Sequence, residues 1–137
     1  MFTGIIEAVG AVKRIEPMGG DLRFVIDGGS LDMSDVQLGD SIAVNGVCLT
    51  VIEFEPASFS ADVSNETISL TSLKGLKAGS AVNLEKAMLP TTRMGGHLVS
   101  GHVDGLGTVV SKTGDARSIR LEIEVPPELK KYIAVKG

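Results

Sequence analysis

Residues 94–107, MGGHLVSGHVDGLG, begin a second passage through a pattern first met at the N-terminus. Laid 97 residues apart, residues 3–12 sit over 100–109, with Gly4 over Gly101, Gly10 over Gly107 and Val12 over Val109. Farther on, Leu22, Phe24 and Ile26 fall over Ile119, Leu121 and Ile123, and Arg23 falls over Arg120. Five of the forty overlapping positions are identical, so the weight rests on the retained order of polar and apolar classes. Such a repeat requires each unit to be one supersecondary assembly, and a complete second copy would run to about residue 190. The chain has 137 residues. The expected organisation is therefore one whole unit over residues 1–97 and the beginning of a second over 98–137.

The first unit reads as short strands and tight turns. Val9, Ala11 and Ile15 mark a first strand, which Pro17, Met18, Gly19 and Gly20 turn back into an alternating run from Leu22 to Ile26. Residues 41–52 read as a hairpin around Asn45-Gly46, a pair favoured where both turn residues need positive φ. A wider crossing with Gly46 as a bulge would leave the same trace. Phe59, Ala61 and Val63 alternate with polar residues, and Ser64 to Thr67 supply capping groups for a short helix ending near Gly75. Residues 81–85 form the last strand. The second unit offers strands over 106–112 and 118–125, with one helical turn over 128–132. The fold class is all-β: a small six-stranded closed antiparallel barrel with a short helix, followed by an incomplete second copy. Closure removes the exposed edges that an open sheet of this length would carry. A β-sandwich is the fold-level alternative.

Composition narrows the partners. A formal net charge of −4, no tryptophan, one tyrosine and four phenylalanines argue against nucleic-acid binding. No stretch approaches a membrane span, and the first residues lack a secretory signal, so the expected location is cytoplasmic. One cysteine and two histidines five residues apart make no structural metal site. A small, neutral or weakly charged ligand suits this chain better.

Three places could carry chemistry. Cys48 stands either as a small buried hydrophobe or, sharing a strand face with Thr50 and opposed to Val47, Leu49 and Val51, as part of a pocket lined by a thiol and a hydroxyl. His97 and His102 would fall on opposite faces of a strand. His102 is the better candidate, because Gly101 permits close backbone approach and Asp104 could share its face; a structural or surface role is the plain alternative. Asp62, Val63, Ser64, Asn65, Glu66 and Thr67 are dense in hydrogen-bonding groups where a strand meets a helix, which ordinary capping also explains. Gly95-Gly96 and the glycines after it match no dinucleotide or phosphate loop.

Taken together, Met1-Phe2-Thr3-Gly4-Ile5, Asn45-Gly46-Val47-Cys48-Leu49-Thr50-Val51, Glu66-Thr67 followed by Leu73, Val82-Asn83-Leu84-Glu85, and the run from Gly95 to Val103 resemble the riboflavin synthases, trimeric lumazine-binding enzymes. The resemblance covers residues 1 to 137. It implies two similar six-stranded barrels and a trimerising C-terminal helix, of which the second barrel's later strands and the helix lie outside this sequence. It implies dismutation of two 6,7-dimethyl-8-ribityllumazine molecules, one giving a four-carbon unit to the other, without metal or redox cofactor. It implies sites between the first barrel of one subunit and the second barrel of its neighbour. The substrate-binding residues so carried over are Gly4, Ile5, Ile6, Cys48, Leu49, Thr50, Asp62, Val63, Ser64, Asn65, Glu66, Thr67, Gly101, His102, Val103 and Lys136. For the chemistry, His102 would assist proton transfer, Cys48 or a water would add to the second substrate with Thr50 orienting it, and Phe2 would order the pocket. The expected assembly is a homotrimer at full length and a dimer for this stretch alone, which would bind ligand but turn over little. A non-catalytic lumazine- or flavin-binding protein of the same fold is the main alternative, and an unrelated interaction barrel is a third. The reading requires a concave, polar-edged seat toward which Cys48 and Thr50 face.

Overall fold

The computed structural model describes residues 1–136 and resolves into two compact units, Met1–Val103 and Asp104–Gly137. In the first, seven strands pair antiparallel in one sheet: β1 (Ala8–Met18), β2 (Asp21–Asp27), β3 (Ser41–Val44), β4 (Val47–Thr50), β5 (Glu53–Glu55), β6 (Ser58–Val63) and β7 (Ala81–Lys86). Their order is β4-β3-β7-β1-β2-β6-β5. The two outermost strands are consecutive in the chain, joined through Val51 and Ile52, and Ile52 N–H still reaches the Ser60 carbonyl of β6 at 2.9 Å. The sheet therefore curls into a half-barrel. The six strands expected from the sequence resolve as seven hydrogen-bonded segments, because the chain bends between β4 and β5 and changes partner from β3 to β6.

Local chemistry accounts for most of these elements. Asn45 and Gly46 both take positive φ, 49° and 80°, and join β3 to β4 as a two-residue hairpin turn with Val44 opposite Val47. Asn45 Oδ1 also accepts from the Asn83 N–H at 2.8 Å, tying this turn to β7. β1 continues through Pro17 and Met18, which the sequence assigns to a turn; only Gly19 and Gly20 turn the chain. β7 pairs only with residues 8–11 of β1, so the far half of β1 is an edge, where a proline is tolerated. Ser64 caps the helix α1 (Asn65–Leu70), its Oγ accepting from Thr67 N–H at 3.2 Å, and a 3₁₀ turn over Ser72–Gly75 completes the helical stretch.

The core lies inside the curled sheet. Phe24, Ile26, Ile42, Val44, Phe59, Val82 and Leu84 are buried there, with Leu73 packing in from the 3₁₀ turn. β2 shows three buried residues in succession, Phe24 to Ile26, where alternation predicts a half-buried strand. It is flanked by β1 and β6, so both of its edges are paired.

The second unit contains a hairpin, β8 (Thr108–Asp115) with β9 (Ser118–Glu124), and a 3₁₀ turn over Lys130–Tyr132. Its pairing repeats that of β1 and β2 residue for residue at an offset of 97. Val12 opposite Ile26 becomes Val109 opposite Ile123, Pro17 opposite Leu22 becomes Gly114 opposite Ile119, and Met18 opposite Asp21 becomes Asp115 opposite Ser118. Even the register shift recurs, between Val12 and Arg14 in one hairpin and between Val109 and Ser111 in the other. A bulge reproduced at one position is a stronger mark of repetition than five identities, since it requires the same backbone irregularity twice. Ile119, Leu121 and Ile123 are exposed, whereas Phe24 and Ile26 at the corresponding places of β2 are buried. Among the described residues β9 pairs with β8 alone, without the counterpart of β6 that covers β2. Residues 98–103, which the sequence groups with the second unit, pack with the first.

Candidate functional site

Stretches far apart in the chain converge on β4. Residues at the N-terminus form a two-way bridge with residue 99: Phe2 N–H donates to the Val99 carbonyl at 2.8 Å and Val99 N–H returns to Phe2 O at 3.0 Å. His97 N–H donates to Thr3 O at 2.8 Å, so residues 97–99 run as a strap along the first residues. The strap ends on β4, where the Gly101 carbonyl accepts from Cys48 N–H at 2.9 Å.

Gly101 makes that approach possible. Its φ is +77°, and a β-carbon there would stand 2.9 Å from Cys48 Cβ, 3.0 Å from Cys48 N and 3.1 Å from Phe2 Cε2. No side-chain-bearing residue fits between the strap and the strand without displacing one of them. Phe2 is fully buried beside this contact.

Beneath the N-terminal residues lies Glu85, a carboxylate 4% exposed at the end of β7. One of its oxygens accepts from both Thr3 N–H and Thr3 Oγ1–H at 2.6 Å, and the other accepts from Gly4 N–H at 3.1 Å. Buried carboxylates require such partners, and three charge-assisted hydrogen bonds meet the need.

β4 alternates as the sequence predicts: Val47 and Leu49 point into the core, Cys48 is half-buried, and Thr50 is exposed on the opposite face. Cys48 and Thr50 thus share one face, outward from the core. β4 also runs beside β6, whose end leads into Asp62, Val63 and the α1 cap. Asp62 is held by Arg23, whose Nε and Nη2 donate to its two oxygens at 2.7 and 3.0 Å. Those hydrogen bonds hold the Asp62 carboxyl below the usual carboxylate range. Ser64 is occupied in capping; Asn65 and Glu66 are exposed and Thr67 half-buried.

The candidate residues of the first unit therefore gather around β4 in part. Gly4 touches the strap at Val99, Gly101 lies on Cys48, His102 follows it exposed, and Val103 packs against the core cluster. The Leu49 and Val63 side chains belong to the core, so only their backbone groups can meet a ligand. Lys136 belongs to the second unit, exposed in a turn with φ of 64°. A cleft of about 530 Å³ in the first unit lies elsewhere, lined by Thr3, Ile5, Glu85, Lys86, Met88 and Arg93 among others; of the candidates only Ile5 borders it. The Cys48 and Thr50 face is a surface cluster outside that cleft, so the cleft is not the concave seat toward which the sequence reading has these residues face.

Thr3, Arg23, Glu85 and Val99, which hold these segments by hydrogen bonds, are not among the site residues the sequence singles out. Arg23 recurs as Arg120 in the repeat, which was a usable signal. The others show themselves only through contacts across 81 or more residues of chain.

The family pattern described as the lumazine binding domain matches residues 3–87. The chain belongs to the lumazine-binding domain family. The matched segment spans the whole curled sheet, from the Thr3 contact with Glu85 to the end of β7, so the architecture just described is that of a lumazine-binding domain. The riboflavin synthase of Photobacterium leiognathi is 53% identical over 137 residues, covering all of this chain and 63% of its own length. That of Bacillus subtilis is 43% identical, again over 63% of its length, and that of Mycobacterium bovis is 43% identical over 68%. The chain thus spans a little under two thirds of the first of these relatives. Among solved structures, LumP complexed with 6,7-dimethyl-8-(1'-D-ribityl) lumazine superposes with a TM-score of 0.80 at 26% identity, over 97% of this chain and 71% of that one. LumP complexed with riboflavin gives 0.83 at 27% identity, over 97% and 72%.

Proposed function

We propose that this chain carries the first lumazine-binding barrel of a riboflavin synthase, together with the opening hairpin of a second barrel. The observation that carries the reading is the meeting of Phe2, Gly101 and Cys48 within a domain of the lumazine-binding family, next to full-chain identity of 43–53% with riboflavin synthases. The register repeat of β8 and β9 supports a second-barrel assignment for that hairpin, while residues 98–103 pack with the first unit. Cys48 and Thr50 open outward from a surface cluster, which suits a half-site completed by the second barrel of a neighbouring subunit. A homotrimer in the cytoplasm belongs to the same reading.

The reaction joins two molecules of 6,7-dimethyl-8-ribityllumazine and yields riboflavin and 5-amino-6-ribitylamino-pyrimidinedione, with four carbons passing from one to the other. The C7 methyl proton is acidic because its carbanion delocalises into the pteridine ring, so a modest base suffices. His102, exposed beside the strap, is assigned to assist that proton's removal, since a neutral imidazole nitrogen can accept a proton. Cys48, or a water on its face, adds to C7 of the second molecule, with the Thr50 hydroxyl orienting it. Gly4, Ile5 and Ile6, and the groups from Asp62 to Thr67, are assigned to the ring edge and ribityl chain, and Lys136 to a site completed across subunits. Holding two ring systems face to face supplies much of the acceleration through positioning.

A non-catalytic lumazine- or flavin-binding protein of the same fold is the second reading, favoured by the superposition with ligand-bound LumP at 26–27% identity. Riboflavin formation from the purified lumazine separates the two. The chain extended by the segment corresponding to its relatives' remaining length is expected to form riboflavin, while residues 1–137 alone bind lumazine and turn over little. Equal turnover by both would overturn the composite site, and binding without turnover by the extended protein would favour the non-catalytic reading.

A further inference from the structure

We propose that Glu85 is a positioning residue for the ligand site: its buried carboxylate clasps Thr3 and Gly4, and through them sets the strap over Cys48. The inference rests on the lumazine-binding reading of the β4 face. Three donors converge on this one side chain, Thr3 N–H, Thr3 Oγ1–H and Gly4 N–H, and they fill both oxygens. The residues so held lie on either side of the path to the strap. Thr3 O takes the His97 N–H, Phe2 exchanges two hydrogen bonds with Val99, and Gly101 then closes on Cys48 N–H. Gly101 packs between the Phe2 ring edge and Cys48 with no room for a β-carbon. Freeing the clasp therefore frees the segment that lies on the Cys48 backbone and β-carbon and presents Gly101 and His102, and so raises access to the half-buried thiol. Glu85 itself is 4% exposed and capped by these donors, so it acts through the strap and does not meet the ligand.

Two readouts separate the clasp from the functional reading. The first is labelling of Cys48, the sole thiol, by 5,5′-dithiobis(2-nitrobenzoate) under native conditions, which needs no ligand. The second is fluorescence titration with 6,7-dimethyl-8-ribityllumazine. In Glu85→Gln the amide nitrogen becomes a donor facing the Gly4 N–H donor, so one bond is lost and the others lose their charge assistance. Labelling is expected to accelerate at least tenfold, and lumazine affinity to fall about tenfold, the equivalent of about 1.4 kcal/mol. Val12→Ala, in a buried β1 position apart from the strap, is the control for general loosening and should change neither by more than about twofold. Thr3→Val removes the Oγ1–H donor to Glu85 together with the acceptor of the Ile5 N–H, and serves if Glu85→Gln does not fold; Thr3→Ser should restore wild-type behaviour. Labelling of Glu85→Gln or Thr3→Val no faster than of Val12→Ala overturns the clasp. Faster labelling with unchanged affinity overturns the positioning role. Failure of the wild-type chain to bind lumazine overturns the functional reading instead, and the clasp then stands or falls on the labelling rates.

Discussion

Replacing Gly101 with alanine perturbs the point where the strap meets β4, and the cost separates into two parts. The first is conformational: a φ of +77° costs an L-residue about 1–2 kcal/mol, offset by about 0.4–1 kcal/mol because alanine narrows the unfolded ensemble. The second is steric. The added carbon would stand 2.9 Å from Cys48 Cβ and 3.0 Å from Cys48 N, and one of these is backbone held in the β3–β4 ladder. Overpacking of this kind costs about 1–3 kcal/mol. The net conformational part is about 0–1.5 kcal/mol and the sum about 1–4.5 kcal/mol. Gly39 supplies the control, since its φ is +90° but its β-carbon would meet nothing within 4 Å. Gly39→Ala should therefore show the conformational part alone, about 0–1.5 kcal/mol. Urea denaturation of both variants beside the wild type gives the difference directly. Thermal melting should show Gly101→Ala at least about 4 °C lower, at about 4–8 °C per kcal/mol for a domain of this size. Equal destabilisation of the two alanine variants, to within about 0.5 kcal/mol, would refute the close contact between strap and strand.

Asp62→Asn removes the carboxylate that Arg23 grips, and its effect should depend on pH. The Asp62 carboxyl is held below its ordinary value when folded, so its contribution is fully present above the unfolded value near about 3.9 and is lost as pH falls through the folded one. The pair is partly exposed, so the wild-type advantage in urea should be at most about 1 kcal/mol at pH 6 and should vanish near pH 2. Ser64→Ala deletes the cap of α1 and should cost about 1 kcal/mol in the same assay, with Ser64→Asp largely restoring it. In the extended protein, His102→Gln should lower the rate of riboflavin formation more than lumazine affinity; an unchanged rate would remove its assigned role.

Much of the first unit was legible from local pattern. Asn45-Gly46 named its own turn, because few residue pairs accept two positive φ values in succession, and Cys48 and Thr50 were assigned to one face by the two-residue period of a strand. Ser64 identified the start of α1 through the single oxygen a cap needs. The offset of 97 residues was present as class order before the paired registers of β1–β2 and β8–β9 displayed it in hydrogen bonds.

What tertiary structure alone decided lies in contacts between residues distant in the chain. The bend at Val51 and Ile52, where one stretch leaves β3 and joins β6, follows from the curl of the whole sheet and leaves no mark in local alternation. Glu85 follows the outward-facing Asn83 by two and would be read as a solvated charge, yet it is buried because the first four residues fold back over it. Periodicity reports on which side of its own strand a residue stands. It carries no information about which other segment will arrive there, since that is set by the path of the intervening chain, and the seating of Gly101 on Cys48 depended on that path.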